Sequence, residues 1–212
     1  MSATEERRTQ DLAKLRGLAR KSEGKIVVEL TSGIPINQIR VGLRYSTAGS
    51  VSYPVQKTDN VTVEIRLPSK YPFQEPLVSL SPPVYHPNVY SSGQVCMGVK
   101  WIPTQGLDLL LVRIIRIIVF DQSVLNEQSP ANRAALDWYR NTKRQFPSAF
   151  PTDIVNLTDG HVKSTIRWNE MQSPGSKVVS ACPSCGTRLR LDGGRSGTVR
   201  CPQCSVTFRV QA

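Results

Sequence analysis

Five cysteines carry most of the chemistry this sequence could do, and their spacing divides them four to one. Cys182, Cys185, Cys201 and Cys204 form "CPSC" and "CPQC", a C-x2-C-x15-C-x2-C pattern. Two tight thiolate pairs joined by a hairpin-length spacer suit a tetrahedral zinc ion, so one structural Zn2+ is expected. A module this small buries too little surface to fold alone, and the metal would supply much of its stability. The fifth, Cys96, stands in "YHPNVYSSGQVCMGV" beside His86, Pro87 and Asn88. A lone cysteine reads as a small buried hydrophobe. On a turn-rich loop beside a sheet it also reads as a nucleophile. His86 could pair with it as in a cysteine hydrolase. No asparagine or aspartate is placed as a third member, and His161 lies in a weakly patterned stretch. The residues by themselves leave thiol and nucleophile both open.

The elements that must position these groups read as α+β. Residues 4–22 have helical spacing, with Leu12, Leu15 and Ala19 on one face and Arg7, Arg8, Lys14, Arg16 and Arg20 making the rest basic. Ser2 with Glu5 can form a capping box. Three alternating segments follow: Ile26, Val28 and Leu30; then Ile39, Val41, Leu43 and Tyr45; then Val61, Val63, Ile65 and Leu67. With "PLVSL" as a fourth strand, they predict an antiparallel meander with one buried face. Residues 81–106 lose periodicity and are rich in proline and glycine, the mark of a functional loop region. Two helices come next, over 107–120 and over 129–146, the second with Ser129 as N-cap and Pro130 at its first position. Residues 151–180 read as a bridge, with a short helix in "HVKSTIRWNEM" and a linker in "QSPGSK". The expected organisation is a domain over 1–150, the bridge over 151–180 and the cysteine module over 181–212, with no internal repeats.

A net charge of +11 points to an acidic partner without choosing among nucleic acid, protein and membrane surface. "MSATEERRTQ" leads into no apolar secretory segment, and "LDLLLVRIIRIIVF" is too short and too charged to span a bilayer. A cytoplasmic protein with persistent free thiols and no membrane partner is expected. Arg188, Arg190, Arg195, Arg200 and Arg209 make the cysteine module basic, but Phe208 alone interrupts them. A solvated surface is therefore favoured over nucleic-acid binding.

Two resemblances add to this. "CPSC", "GTVRCPQC" and "FRV" resemble the zinc ribbons common in prokaryotic proteins. Over residues 4–146 the chain resembles a ubiquitin-conjugating enzyme, the second carrier in ubiquitin-type conjugation. The resemblance is carried by "YPFQEPLVSLSPPVYHPNVYSSGQVC", by "WIPT" and by "NEQSPANRAALDWYRN", in that order, with Asn88 eight residues before Cys96. It implies that fold: N-terminal helix, four-stranded meander, active-site loop and C-terminal helices, followed here by the ribbon. It implies that Cys96 carries a ubiquitin-like modifier as a thioester, received from an activating enzyme and passed to a lysine. Asn88 would support the oxyanion or the loop, His86 and Pro87 would be structural, and Ser129 would stand at the lysine gate. Arg7, Arg8 and Lys14 would meet the activating enzyme, and Phe73 and Pro103 a ligase or substrate protein.

The sequence departs from that family at "QEP" after Phe73, at Met97 and Gly98 after the cysteine, and in the short Cys96-to-Trp101 spacing. A fourth helix is absent or reduced to the bridge. The ribbon suggests a bacterial system. The competing readings are a non-catalytic adaptor of the same fold and a protein tethered to nucleic acid by its ribbon.

Overall fold

The computed structural model describes residues 2–155, 177–192 and 196–211. The chain divides into two compact units, Met1–Thr158 and Asp159–Ala212.

The first unit is built on the expected meander. Strands β1 (Ile26–Ser32), β2 (Gln38–Leu43), β3 (Val61–Arg66) and β4 (Leu77–Ser81) pair antiparallel in that order. Ile39, Val41 and Leu43 of β2, Val61, Val63 and Ile65 of β3, and Val78 and Leu80 of β4 all face the core. Period-two alternation dictates this, because every second side chain shares a face. β1 breaks the pattern. Its register with β2 shifts between Val28 and Leu30, and Leu30 ends 44% exposed. One extra residue in a strand turns all later side chains to the opposite face. Leu30 is therefore not on the inner face with Ile26.

Helix α1 (Ala3–Lys21) has the predicted capping box: Ser2 Oγ accepts from the Glu5 amide at 3.3 Å, and Glu5 accepts from the Ser2 amide at 2.7 Å. Leu12 and Leu15 are buried as it packs on β1 and α2. Its basic face is not uniformly solvated. Lys14 is exposed, but Arg8 is 3% exposed and donates to the carbonyls of Ile36 and Pro68, both at 2.6 Å. Two backbone acceptors in neighbouring loops draw the guanidinium inward, so the surface position expected for Arg8 is corrected.

Helix α2 (Leu107–Ile118) buries aliphatic side chains on nearly every face, as a helix apolar all round must. It ends in a left-handed residue, Phe120 (φ 60°), whose amide bonds Ile117 while that of Asp121 bonds Arg116, both at 2.9 Å. A β-carbon is costly there. The Phe120 ring is held among Trp138, Tyr139 and Phe150, with centroids 4.8–6.1 Å away.

Helix α3 (Arg133–Gln145) starts later than expected: its N-cap is Asn132, which accepts from the Ala135 amide at 3.0 Å. Ser129 and Pro130 precede it. Both serine and asparagine cap well, and the carbonyl of Pro87, which takes the Asn132 amide at 3.1 Å, selects the later residue.

Residues through Asp153 stay bound to this unit. The Thr152 amide bonds Val119 at 2.9 Å, and Asp153 accepts from the Ser46 amide at 3.1 Å. Most of the segment read as a bridge, including the helix in "HVKSTIRWNEM" with His161 and residues 172–176 of the "QSPGSK" linker, lies outside the described residues, while Lys177 is described.

In the second unit, β5 (Lys177–Ala181) pairs with β6 (Arg188–Asp192), and β7 (Ser196–Arg200) pairs with β8 (Thr207–Gln211), both antiparallel. Each hairpin is closed by one cysteine pair. The two halves repeat each other in fold, which corrects the expectation of no internal repeat: Cys182, Cys185, Gly186, Leu189 and Arg190 stand in the places of Cys201, Cys204, Ser205, Phe208 and Arg209. Among the described residues no helix is long and apolar enough to cross a membrane.

Replacing Arg8 by alanine strands two carbonyls that accept charge-assisted bonds. We expect a loss of about 2–4 kcal/mol of stability, read from the urea midpoint of the first unit by circular dichroism. A wild-type midpoint would mean that the guanidinium is an ordinary surface charge.

Candidate active site

The loop after β4 folds back on itself and stands Cys96 at its end. Leu80 bonds Gly93 and Val95 bonds Val78, both at 2.9 Å, so residues 93–95 run along β4. Inside this return, Gly93 bonds Tyr90 at 2.8 Å and Tyr90 bonds Gln94 at 2.9 Å. Gly93 (φ 85°) is required here, because a β-carbon would lie 2.6 Å from the Leu80 carbonyl oxygen. The Cys96 amide then donates to the Asn88 carbonyl at 2.8 Å. The Cys96 thiol is half-buried and unpaired by any disulfide.

Asn88 is fully buried and its side chain is fully used. Nδ2 donates to the Val124 carbonyl at 3.1 Å and lies 3.4 Å from that of Cys96, while Oδ1 accepts from the Asn126 amide at 3.0 Å. One amide thus joins three segments: the 86–96 return, the turn after α2 and the approach to α3. These bonds brace the loop that carries Cys96.

His86 is buried on the ring of Phe120, with centroids 4.3 Å apart, and its Nδ1 accepts from the Asn88 amide at 2.8 Å. Burial pushes its pKa down to about 3, so the imidazole is neutral at ordinary pH. An acceptor Nδ1 places the proton on Nε2. Its bond holds the loop and is not aimed at Cys96. Pro87 is buried beside it and receives the α3 cap through its carbonyl.

Ser129 is exposed in a small loop closed by Asn126, whose Nδ2 donates to the Ser129 carbonyl at 2.6 Å and whose Oδ1 takes the Ser129 amide at 3.1 Å. Nearby, Glu127 and Arg140 form an exposed ion pair at 2.9 Å, which contributes little to stability. Asn126 carries no signal in the sequence, since its role depends on a partner 38 residues away.

Trp101 Nε1 donates to the Pro72 carbonyl at 2.7 Å, and its ring lies 6.0 Å from that of Tyr71. This bond places the loops of Phe73 and Pro103 side by side, with Phe73 82% exposed. Arg7 bonds buried Asp11 and the Gln105 carbonyl, both at 2.6 Å, and Tyr71 donates to the same Asp11 carboxylate. Burial first, and then this hydrogen bond, raise the Tyr71 phenol well above its ordinary pKa. Arg7 therefore ties α1 to both loops, and Lys14 is exposed.

In the second unit the four thiols converge. All Sγ atoms lie within 4.8 Å of one another, with Cys182 to Cys204 and Cys185 to Cys201 both 3.6 Å apart. Zn–S bonds of about 2.3 Å would put tetrahedral sulfurs about 3.8 Å apart, so the donors fit a zinc-sized ion. Both knuckles use the same turn. Gly186 bonds the Cys182 carbonyl and Ser205 bonds that of Cys201, each at 2.9 Å with φ near 60–71°.

Residues 54–152 match the family model described as ubiquitin-conjugating enzyme. The chain is similar to ubiquitin-conjugating enzyme E2 T of Mus musculus, 32% identical over 137 residues, covering 65% of this chain and 66% of that protein. It is 27% identical over 164 residues to E2 T of Bos taurus, covering 76% and 82%. To E2 T of Homo sapiens it is 27% identical over 128 residues, covering 60% and 64%. The chain thus spans a little under two thirds of the mouse and human proteins.

The lowered His86 pKa makes the first unit acid-sensitive. Its folded value of about 3 lies below the unfolded value of 6.5, so its contribution is complete above pH 6.5 and is lost as pH falls toward 3. The limiting slope is between about 1 and 2 kcal/mol per pH unit. Urea midpoints across pH 7 to 4 should fall steeply in the wild type and flatten in His86→Gln. Equal slopes in the two would remove His86 as the source.

Proposed function

The chain belongs to the ubiquitin-conjugating enzyme family, a family of transferases, and on that premise we propose that Cys96 is a thioester carrier for a ubiquitin-like modifier. The observation that carries the reading is the 88–96 clamp, in which a buried amide and two backbone bonds hold one half-exposed thiol at the end of a rigid return. Thiolate is both a good nucleophile and a good leaving group, which a carrier needs and a hydroxyl cannot match.

In the first step the Cys96 thiolate attacks the carbonyl carbon of the activating enzyme's thioester. A C–S bond to Cys96 forms, the donor's C–S bond breaks, and the donor thiolate leaves. In the second, a lysine amine attacks the Cys96 thioester. A C–N bond forms, the amine gives up its proton to solvent, and Cys96 departs as thiolate. Asn88 keeps the loop in the geometry that both steps share. Ser129, exposed on the loop braced by Asn126, is the candidate gate for the incoming lysine. Lys14, with part of Arg7, is offered to the activating enzyme, and Phe73 with Pro103 to a ligase or substrate protein. Arg8 is withdrawn from that set because its head group is spent inside.

For the ribbon we propose one structural Zn2+ on Cys182, Cys185, Cys201 and Cys204, with the converged thiols as support. Held by these four thiolates, an ion would cross-link two hairpins too small to hold each other.

Cys96→Lys expressed with the native partners should carry a modifier-sized mass on a stable isopeptide bond, seen by intact-mass spectrometry. A folded variant that stays unmodified beside its expressed partners would sink the carrier reading. Native mass spectrometry of the wild type should find one zinc per chain, reduced at least about tenfold in occupancy by Cys182→Ser. Full-length protein that purifies metal-free with a protease-resistant ribbon would contradict the zinc proposal.

A further inference from the structure

Arg113 lies on α2 behind the active-site loop, in an otherwise aliphatic run. It is 6% exposed. Its Nε and Nη2 converge on one acceptor, the Met97 carbonyl, at 2.9 and 2.7 Å. Met97 follows Cys96 directly and is itself buried. At the next residue, Gly98, a β-carbon would stand 3.8 Å from Nη2. The head group also lines a small cavity with Met97, Trp101, Gln105 and Glu75. The nucleophile is therefore tied on both sides: its amide goes to Asn88, and the next carbonyl goes to Arg113.

A carbonyl can be satisfied by a neutral donor, whereas a buried cation carries a desolvation cost. Burial and the neighbouring Arg116 both act against the Arg113 charge, and the proximity of Cys96 acts in its favour. A guanidinium keeps its proton under such pressure. Its charge is weakly screened because the surroundings are low in dielectric. Arg116 is partly solvated with Asp121 4.0 Å away, and Glu75 is exposed to water. Among the described residues, the buried, fixed cation next to Cys96 is thus Arg113.

We propose that Arg113 is a positioning residue for transfer at Cys96, clamping the Met97 carbonyl and presenting a fixed positive charge to the negative charge that develops on the sulfur and on the attacked thioester oxygen. No bond forms to Arg113 and it exchanges no proton. Preorganised charge of this kind stabilises a transition state without reorganising during the reaction. The proposal rests on Cys96 as the nucleophile.

The test uses two alkylating probes on the full-length, zinc-loaded chain: neutral iodoacetamide and anionic iodoacetate. Rates are read by mass on the peptide containing Cys96, so that ribbon thiols do not count. Arg113→Met should lower the iodoacetate-to-iodoacetamide rate ratio at Cys96 by at least about threefold, and Arg113→Lys should restore most of it. A merely structural role changes both rates together. An unchanged ratio in folded Arg113→Met would overturn the proposal. Should that variant fail to fold, Arg113→Gln, which keeps a donor for Met97 and removes only the charge, decides by the same two outcomes. Neither probe needs an activating enzyme or a modifier, so failure here and failure of the isopeptide trap are separate results.

Discussion

The first unit hangs on one buried amide. Asn88 gives its side-chain N–H groups to the carbonyls of Val124 and Cys96 and its oxygen to the Asn126 amide. An asparagine in solvent would gain little from such bonds. In a dry site each unmade bond carries the whole desolvation penalty, so the fully satisfied arrangement is strongly selected. The cysteine return, the turn after α2 and the lead into α3 therefore have one low-energy arrangement in common. Position at Cys96 is a property of that junction more than of the cysteine's own neighbours in sequence.

Charge is used inward as well as outward. Arg8 closes the space between α1 and two loops, Arg7 and Asp11 join α1 to Tyr71 and Gln105, and Arg113 holds the residue after Cys96. Each head group meets backbone carbonyls or a carboxylate, the condition under which burial of a cation is tolerated. The helix with the basic sequence face and the loops carrying Phe73 and Trp101 become one mechanical piece through these contacts. The second unit solves a different problem. Two hairpins of equal design bring four thiols together, and the same left-handed turn residue follows each pair, as glycine in one half and serine in the other.

Much of this was legible in the chain. Alternation marked β2 and β3 because a half-buried strand writes its period directly, and the capping box of α1 was readable because its partners are three residues apart. The four thiols that converge in the second unit were equally plain, since their paired spacing sets them apart from Cys96. The family resemblance ordered the loop motifs, and the match over residues 54–152 agrees with it.

What local pattern could not carry was decided by partners far along the chain. The bulge at Glu29 turned Leu30 outward because pairing with β2, not hydrophobicity, sets the register. The cap of α3 moved to Asn132 because the Pro87 carbonyl waits there. Arg8 left the surface because carbonyls 28 and 60 residues away needed donors. Residue types and spacing by themselves determined which elements form, which thiols can share an ion and which cysteine stands apart. Only the tertiary structure decided which polar groups are buried and what they hold, because a buried hydrogen bond is chosen by the three-dimensional positions of both partners and leaves no period in the sequence.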